Sequence, residues 1–192
     1  AIYIYRKFYH AWIQVQGPIT GSGNTGAAQQ GKSVAVWDMT IVFGGPADAS
    51  TAGRVWIFDY DGFSSWTQTQ TIFGTGQSTA AQQGFSLGIY NDTIVVGGFQ
   101  DASNIGAAWV FKKIAGVWTQ SGSKLTPINR VGTPRFAHSI AIWNDTIVVG
   151  GRNDNSFLGA AWIFTRNSTD GWGDGVKIVP TGYIGSQPRF GE

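Results

Sequence analysis

The chain has 192 residues, with 13 basic against 11 acidic side chains and no cysteine. That length supports one substantial domain with its own core, and the missing cysteine excludes disulfides, thiolate metal sites and a cysteine nucleophile. No run of Lys and Arg can track a phosphate backbone, so nucleic acid is set aside as a partner, and no 18-residue apolar run is available to span a membrane.

A content of 28 Gly, 9 Trp and 12 Phe suits short aromatic strands joined by tight turns. No stretch of ten residues carries a 3.6-residue apolar period, so helix is expected to be nearly absent. The chain opens on Ala1-Ile2-Tyr3-Ile4-Tyr5, which already reads as strand, and Trp12 marks a second one. An opening in mid-pattern and without Met leads us to expect a piece of something longer, so the lack of a signal peptide says nothing about secretion.

From Ser33 the pattern becomes periodic. Ser33-Val34-Ala35-Val36-Trp37 is followed by the turn Asp38-Met39 and then by T-I-V-F-G-G from Thr40 to Gly45. The same order returns at Ser86 to Gly98 and again at Ser139 to Gly151. Thr40, Thr93 and Thr146 are 53 residues apart each time. A fixed period of this size is the signature of a repeat architecture. The two-residue turns Asp38-Met39, Asn91-Asp92 and Asn144-Asp145 predict a tight hairpin, of type I′ from its Asn and Asp content. Both strands are apolar at consecutive positions, as in strands covered on both faces.

A loop containing Asp48, Asp101 or Asp154 follows the double glycine. The third strand then runs Gly53 to Phe58, Gly106 to Phe111 and Gly159 to Phe164, and Ala1 to Tyr5 falls at the same position of the period. A fourth strand is marked by Trp12, Trp66, Trp118 and Trp172. Four short antiparallel strands per repeat, each unit with two apolar faces it cannot bury alone, predict an all-β chain of β-propeller blades. About 3.6 repeats are present: a partial one at 1–29, then 30–82, 83–135 and 136–189, with 190–192 starting another. All belong to a single propeller or propeller segment over 1–192.

The string Gly106-Ala107-Ala108-Trp109-Val110-Phe111, then Trp118 to Leu125, then Phe136 to Gly151 resembles the FG-GAP repeat. Phe190-Gly191 supplies that family's naming dipeptide, and Gln30-Gly31, Gln83-Gly84 and Phe136-Ala137 stand in its place elsewhere. Pro134-Arg135 with His138-Ser139 and the V-V-G-G is also similar to a kelch repeat. Either resemblance implies four-stranded propeller blades. The first implies an extracellular or cell-surface binding or structural module, which in some members carries calcium in a D-x-D-x-D-G loop between the first two strands. Here that connection is a two-residue turn without room for a chelating loop.

Asp48, Asp101 and Asp154 are therefore the remaining metal candidates, and one Asp per loop reads first as a turn former accepting backbone N–H bonds. No metal or cofactor is expected. His10 and His138 are isolated, and Ser139 beside His138 makes no dyad because neighbouring strand residues point to opposite faces. Ser33, Ser86 and Ser139 recur without a recurring histidine, which favours a structural serine near a propeller axis. No catalytic set is found, so the chain reads as non-enzymatic. Trp56, Trp109 and Trp162 read as packing between blades, and the outer tryptophans as the better candidates for partial exposure and sugar stacking.

Three N-x-T sequons, at Asn91, Asn144 and Asn167, lie in predicted turns and are candidate glycan acceptors, Asn167 first. The leading functional expectation is an extracellular propeller used in adhesion, binding or a surface or filamentous assembly. Its partner would be a protein or glycan ligand, or another copy met through open strand edges. The alternatives are a carbohydrate-active propeller enzyme, as in oxidases that resemble the kelch group, and an intracellular kelch-like adaptor.

Overall fold

Apolar residues on both faces of the central strands are what stack the sheets. The computed structural model describes residues 1–78, 80–169 and 171–192. It begins with an antiparallel pair, β1 (Ile2–Phe8) and β2 (Ala11–Ile19). Three four-stranded antiparallel sheets follow, each a meander in chain order. The first holds β3 (Ser33–Trp37), β4 (Thr40–Gly45), β5 (Arg54–Tyr60) and β6 (Trp66–Ile72). The second holds β7 (Ser86–Tyr90), β8 (Thr93–Gly98), β9 (Ala107–Ile114) and β10 (Val117–Gln120). The third holds β11 (Ser139–Trp143), β12 (Thr146–Gly151), β13 (Ala160–Thr165) and β14 (Val176–Ile178). The chain is all-β, and its predicted first and second strands are found at their predicted bounds.

Successive residues of a strand face opposite sides, so each central strand feeds two cores. Ile41 and Phe43 pack toward the β1–β2 pair together with Trp56 and Phe58. Val42 and Ile57 pack the other way, against Ile94, Val96 and Trp109 of the second sheet. Val95, Ala108 and Val110 then meet Ile147, Val149 and Trp162 of the third. All six residues of β8 are buried, as expected of a strand covered on both faces.

The first strands of the three sheets lie side by side, β3 beside β7 and β7 beside β11. Their far ends meet: Trp37 and Tyr90 have ring centroids 4.4 Å apart, and Tyr90 and Trp143 are 4.8 Å apart. Trp37 and Trp143 belong to sheets that are not neighbours, yet their rings are 6.4 Å apart. The first strands therefore converge on a common line.

Glycine permits that convergence. A Cβ on Gly44 would stand 1.9 Å from the carbonyl oxygen of Gly84, and one on Gly150 would stand 2.1 Å from that of Gly191. At Gly97 the added atom would meet Ser86 Oγ at 2.1 Å and the Ala137 oxygen at 2.7 Å. The first glycine of each T-I-V-x-G-G run thus meets the backbone of the chain segment that begins the next repeat.

Three sequence expectations are corrected. The hairpin turns have positive φ at the first central residue only, Asp38, Asn91 and Asn144, whereas type I′ needs it at both. The last fourth strand begins at Val176, because Gly171, Gly173 and Gly175 leave Trp172 joined to Arg166 by an isolated bridge. The loops after the double glycines are single turns, α1 (Asp48–Thr51), α2 (Asp101–Asn104) and α3 (Asp154–Phe157). Each carries three successive residues of positive φ, such as Ala49, Ser50 and Thr51 at 48, 55 and 74°. They are left-handed, a conformation costing roughly 1–2 kcal/mol per non-glycine residue.

Replacing Gly44 by Ala should lower unfolding free energy by about 3 kcal/mol, since a backbone oxygen only 1.9 Å from the new Cβ cannot move aside. Gly173, whose added Cβ would meet nothing nearer than 3.8 Å, should accept Ala with a change under about 0.5 kcal/mol. Urea denaturation of the two variants makes the comparison.

Candidate functional site

Each left-handed turn is built around a buried aspartate. Asp48, Asp101 and Asp154 are almost wholly shielded from solvent. Through Oδ1 each accepts the backbone N–H of the residue 23 positions earlier: Thr25 at 2.6 Å, Ser78 at 2.6 Å and Val131 at 2.8 Å. Through Oδ2 each meets one cation: Arg54 at 2.8 Å, Lys124 at 2.5 Å and Lys177 at 2.6 Å. The three metal candidates therefore spend both oxygens on a backbone donor and an ammonium or guanidinium group. Among the described residues no three His, Asp or Glu side chains gather around one point.

The cation was invisible as a pattern because its position moves. In the second and third repeats it is the lysine 23 residues after the aspartate. In the first repeat that position is Thr71, and the charge comes from Arg54, whose counterparts are Ala107 and Ala160. One strand gives up the cation where its neighbour supplies it.

The turn aims two carbonyls at the next repeat. Thr51 and Ala52 accept the N–H groups of Gln82 and Gln83 at 2.8 and 3.0 Å. Asn104 and Ile105 accept those of Arg135 and Phe136, and Phe157 and Leu158 those of Arg189 and Phe190. The recurring serines close the same junction from the first strand. Ser33 Oγ donates to Gly84 O at 2.7 Å, Ser86 Oγ to Ala137 O at 2.7 Å and Ser139 Oγ to Gly191 O at 3.0 Å. Ser139 thus works as a tether, while the neighbouring His138 ring lies against Phe85 and Phe99 at 5.1 and 5.6 Å.

Trp56, Trp109 and Trp162 are fully buried, and each indole N–H donates over 2.8 Å to the carbonyl 34 residues earlier, of Ser22, Thr75 and Ile128. Among the outer tryptophans, Trp118 is buried and Trp66 and Trp172 are half-buried, while Trp12 is 67% exposed. Asn91, Asn144 and Asn167 are all exposed. Asn167 Oδ1 accepts the hydroxyl of its own sequon residue Thr169 at 2.8 Å.

The two outer faces of the stack both carry exposed apolar side chains. On the side of β1, Val34 and Val36 are 60% and 62% exposed, beside a cleft of about 600 Å³ lined by Tyr5, Trp12, Phe63 and Trp66 among others. Strand β1 pairs only with β2, whereas its counterparts β5, β9 and β13 are paired on both edges. On the other side, Trp143 is 69% and Val176 64% exposed, with Ile178 beside Val176 on β14 and Val148 and Ile163 half-buried. Among the described residues no helix is long and apolar enough to cross a membrane.

Comparison with protein-family models gives no match, and comparison with curated proteins gives none either. The functional reading therefore rests on this geometry.

Two outcomes follow. Asp101→Ala strands Lys124 and frees the Ser78 N–H, and should cost about 3 kcal/mol, near the low end for a broken ion pair because Lys124 keeps some contact with water. Thermal and urea unfolding read it. His138 is held below its ordinary pKa of 6.5, first by burial and then by the neighbouring Arg152. The unfolded chain then binds the extra proton more readily, so stability is full above that value and falls as pH drops through the lower folded value. His138→Phe, the residue found at the matching Phe85, should flatten this acid-side slope in urea titrations between about pH 5 and 7.5.

Proposed function

We propose that the chain is a non-enzymatic, extracellular or cell-surface β-propeller module of the FG-GAP or kelch-like kind, working by binding and assembly through its two open faces. The observation that carries this reading is the equivalence of those faces to the interfaces inside the chain. Val34 and Val36 occupy the positions from which Ile140 and Ile142 pack toward the second sheet. Trp143 occupies the position of Trp37, which packs toward it from the other side. Three sheets stacked with one register, their first strands converging, support blades arranged about an axis.

A repeat stack that ends in solvent ordinarily carries polar outer faces. Here both are apolar, and the unpaired edge of β1 adds a row of free backbone groups. The natural occupant of either face is a further repeat unit of the same chemistry, presented by this polypeptide or by another copy. The faces are of opposite kind, so contact between copies would run head to tail and could extend into a filament. The sequons at Asn91, Asn144 and Asn167 sit in exposed turns, which suits a glycosylated surface protein.

Sedimentation velocity across a concentration series tests the assembly. The native chain should shift to larger species as concentration rises. A Val176→Glu, Ile178→Glu variant should stay monomeric with an unchanged melting temperature. A native chain that remains monomeric to millimolar concentration would sink head-to-tail assembly. Mass loss on enzymatic deglycosylation of the natural protein checks the extracellular half of the proposal.

A further inference from the structure

At the end of the stack opposite the hairpin turns, the residues just before β3, β7 and β11 are Lys32, Phe85 and His138. Those just after β8 and β12 are Phe99 and Arg152. Because the first strands converge, these side chains gather into one mouth. Phe85 and Phe99 are in contact at 4.5 Å, and the His138 ring touches both. Cations lie over this aromatic floor and its rim: Lys32 over Phe85 at 4.8 Å, Arg135 over Phe99 at 5.6 Å and Arg189 over Phe157 at 5.9 Å.

Among the described residues, six of the nine cations outside this mouth are paired with a carboxylate, and Arg6, Lys7 and Arg130 are the exceptions. Arg54, Lys112, Lys113, Lys124, Arg166 and Lys177 each stand within ion-pair reach of an aspartate. Among the described residues, Lys32, Arg135 and Arg189 have no carboxylate within 4 Å. The mouth holds one acidic side chain, Glu192, whose carboxylate sits on Arg152. We infer that this mouth is a docking site for an acidic polypeptide segment, whose carboxylates pair with Lys32, Arg135 and Arg189 as Glu192 pairs with Arg152.

Seating on three different phenylalanines keeps the cations apart, so they suit several spaced carboxylates better than one small anion. Aromatic seats also reduce the side-chain freedom lost when a ligand arrives. The field is felt locally: Arg152, Arg135 and Lys32 all disfavour the charged form of His138, and Glu192 alone favours it. An arriving carboxylate would oppose those cations and raise the His138 pKa. The site does not depend on the open faces, and the test is run where sedimentation shows a monomer, so either proposal can fail alone.

The probe is a hexaglutamate peptide, titrated at low salt while the His138 imidazole resonances are followed across pH. Binding should raise the His138 pKa and weaken as salt rises. Arg135→Gln with Arg189→Gln should weaken it about tenfold or more, with Lys32→Gln as a second variant remote from the backbone junctions. Glu192→Gln, which removes the resident competitor, should tighten it. No binding at millimolar peptide, a His138 pKa unmoved at saturation, or affinity unchanged in both sets of variants would overturn the site. Tighter binding of a sulfated polysaccharide at equal charge would overturn the assignment to a polypeptide.

Discussion

Backbone meets backbone where one repeat joins the next. Gly44 faces Gly84, Gly97 faces Ala137 and Gly150 faces Gly191 so closely that a Cβ on any of the three glycines would clash. Everything nearer the common line follows from that approach. It brings Ser33, Ser86 and Ser139 within hydrogen-bond reach of the next repeat, and it lets Trp37, Tyr90 and Trp143 meet although they are 53 residues apart in sequence. Farther out, the buried tryptophans Trp56, Trp109 and Trp162 fill the space between the stacked sheets.

Holding the stacked sheets in register requires a directional contact as well as an apolar one. The left-handed turns supply it. Three residues in a costly conformation present two carbonyls to the next repeat, and the turn persists because a buried aspartate fastens it on both sides. One carboxylate oxygen is held by a backbone N–H of the incoming connection, the other by a cation of its own sheet. Strain of this size survives only where the surroundings over-determine it. Here a peptide donor, an ion pair and two inter-repeat hydrogen bonds all converge on five residues, Asp48 to Ala52 in the first repeat.

Much of this was legible in the sequence because a repeat multiplies weak signals. One W-N-D-T-I-V-V-G-G is a plausible strand; three at a fixed spacing fix strands, hairpin and the order of the meander. The serine tether was legible for the same reason. The left-handed turns were not, since Ala49, Ser50 and Thr51 have no intrinsic preference for positive φ. Only the tertiary hydrogen bonds favour it. The partners of the aspartates were hidden by the exchange of Arg54 for a lysine on another strand. The mouth was hidden too, because Lys32, Phe85 and His138 share a position of the period while differing in chemistry, and a search for recurring residues passes over them.

That contrast separates the positions that build the stack from those free to vary. Even the junction allows substitution when it is paired. Gln30 and Gln83 each use both side-chain polar atoms on the N–H and carbonyl of the glycine nine residues earlier, Gly21 and Gly74. In the next repeat the glycine becomes Pro127, which has no N–H to satisfy. The glutamine becomes Phe136, fully buried with its ring centroid 5.3 Å from that of Trp162. A polar clasp and an apolar plug thus serve one joint, provided both members change together. Pro180 and Phe190 carry the same residue pair one position farther apart, with Phe190 exposed. The chain therefore carries two kinds of joint on one recurring backbone contact, and the third sheet's glycine, serine and left-handed turn already hold residues 189–191 in the same way.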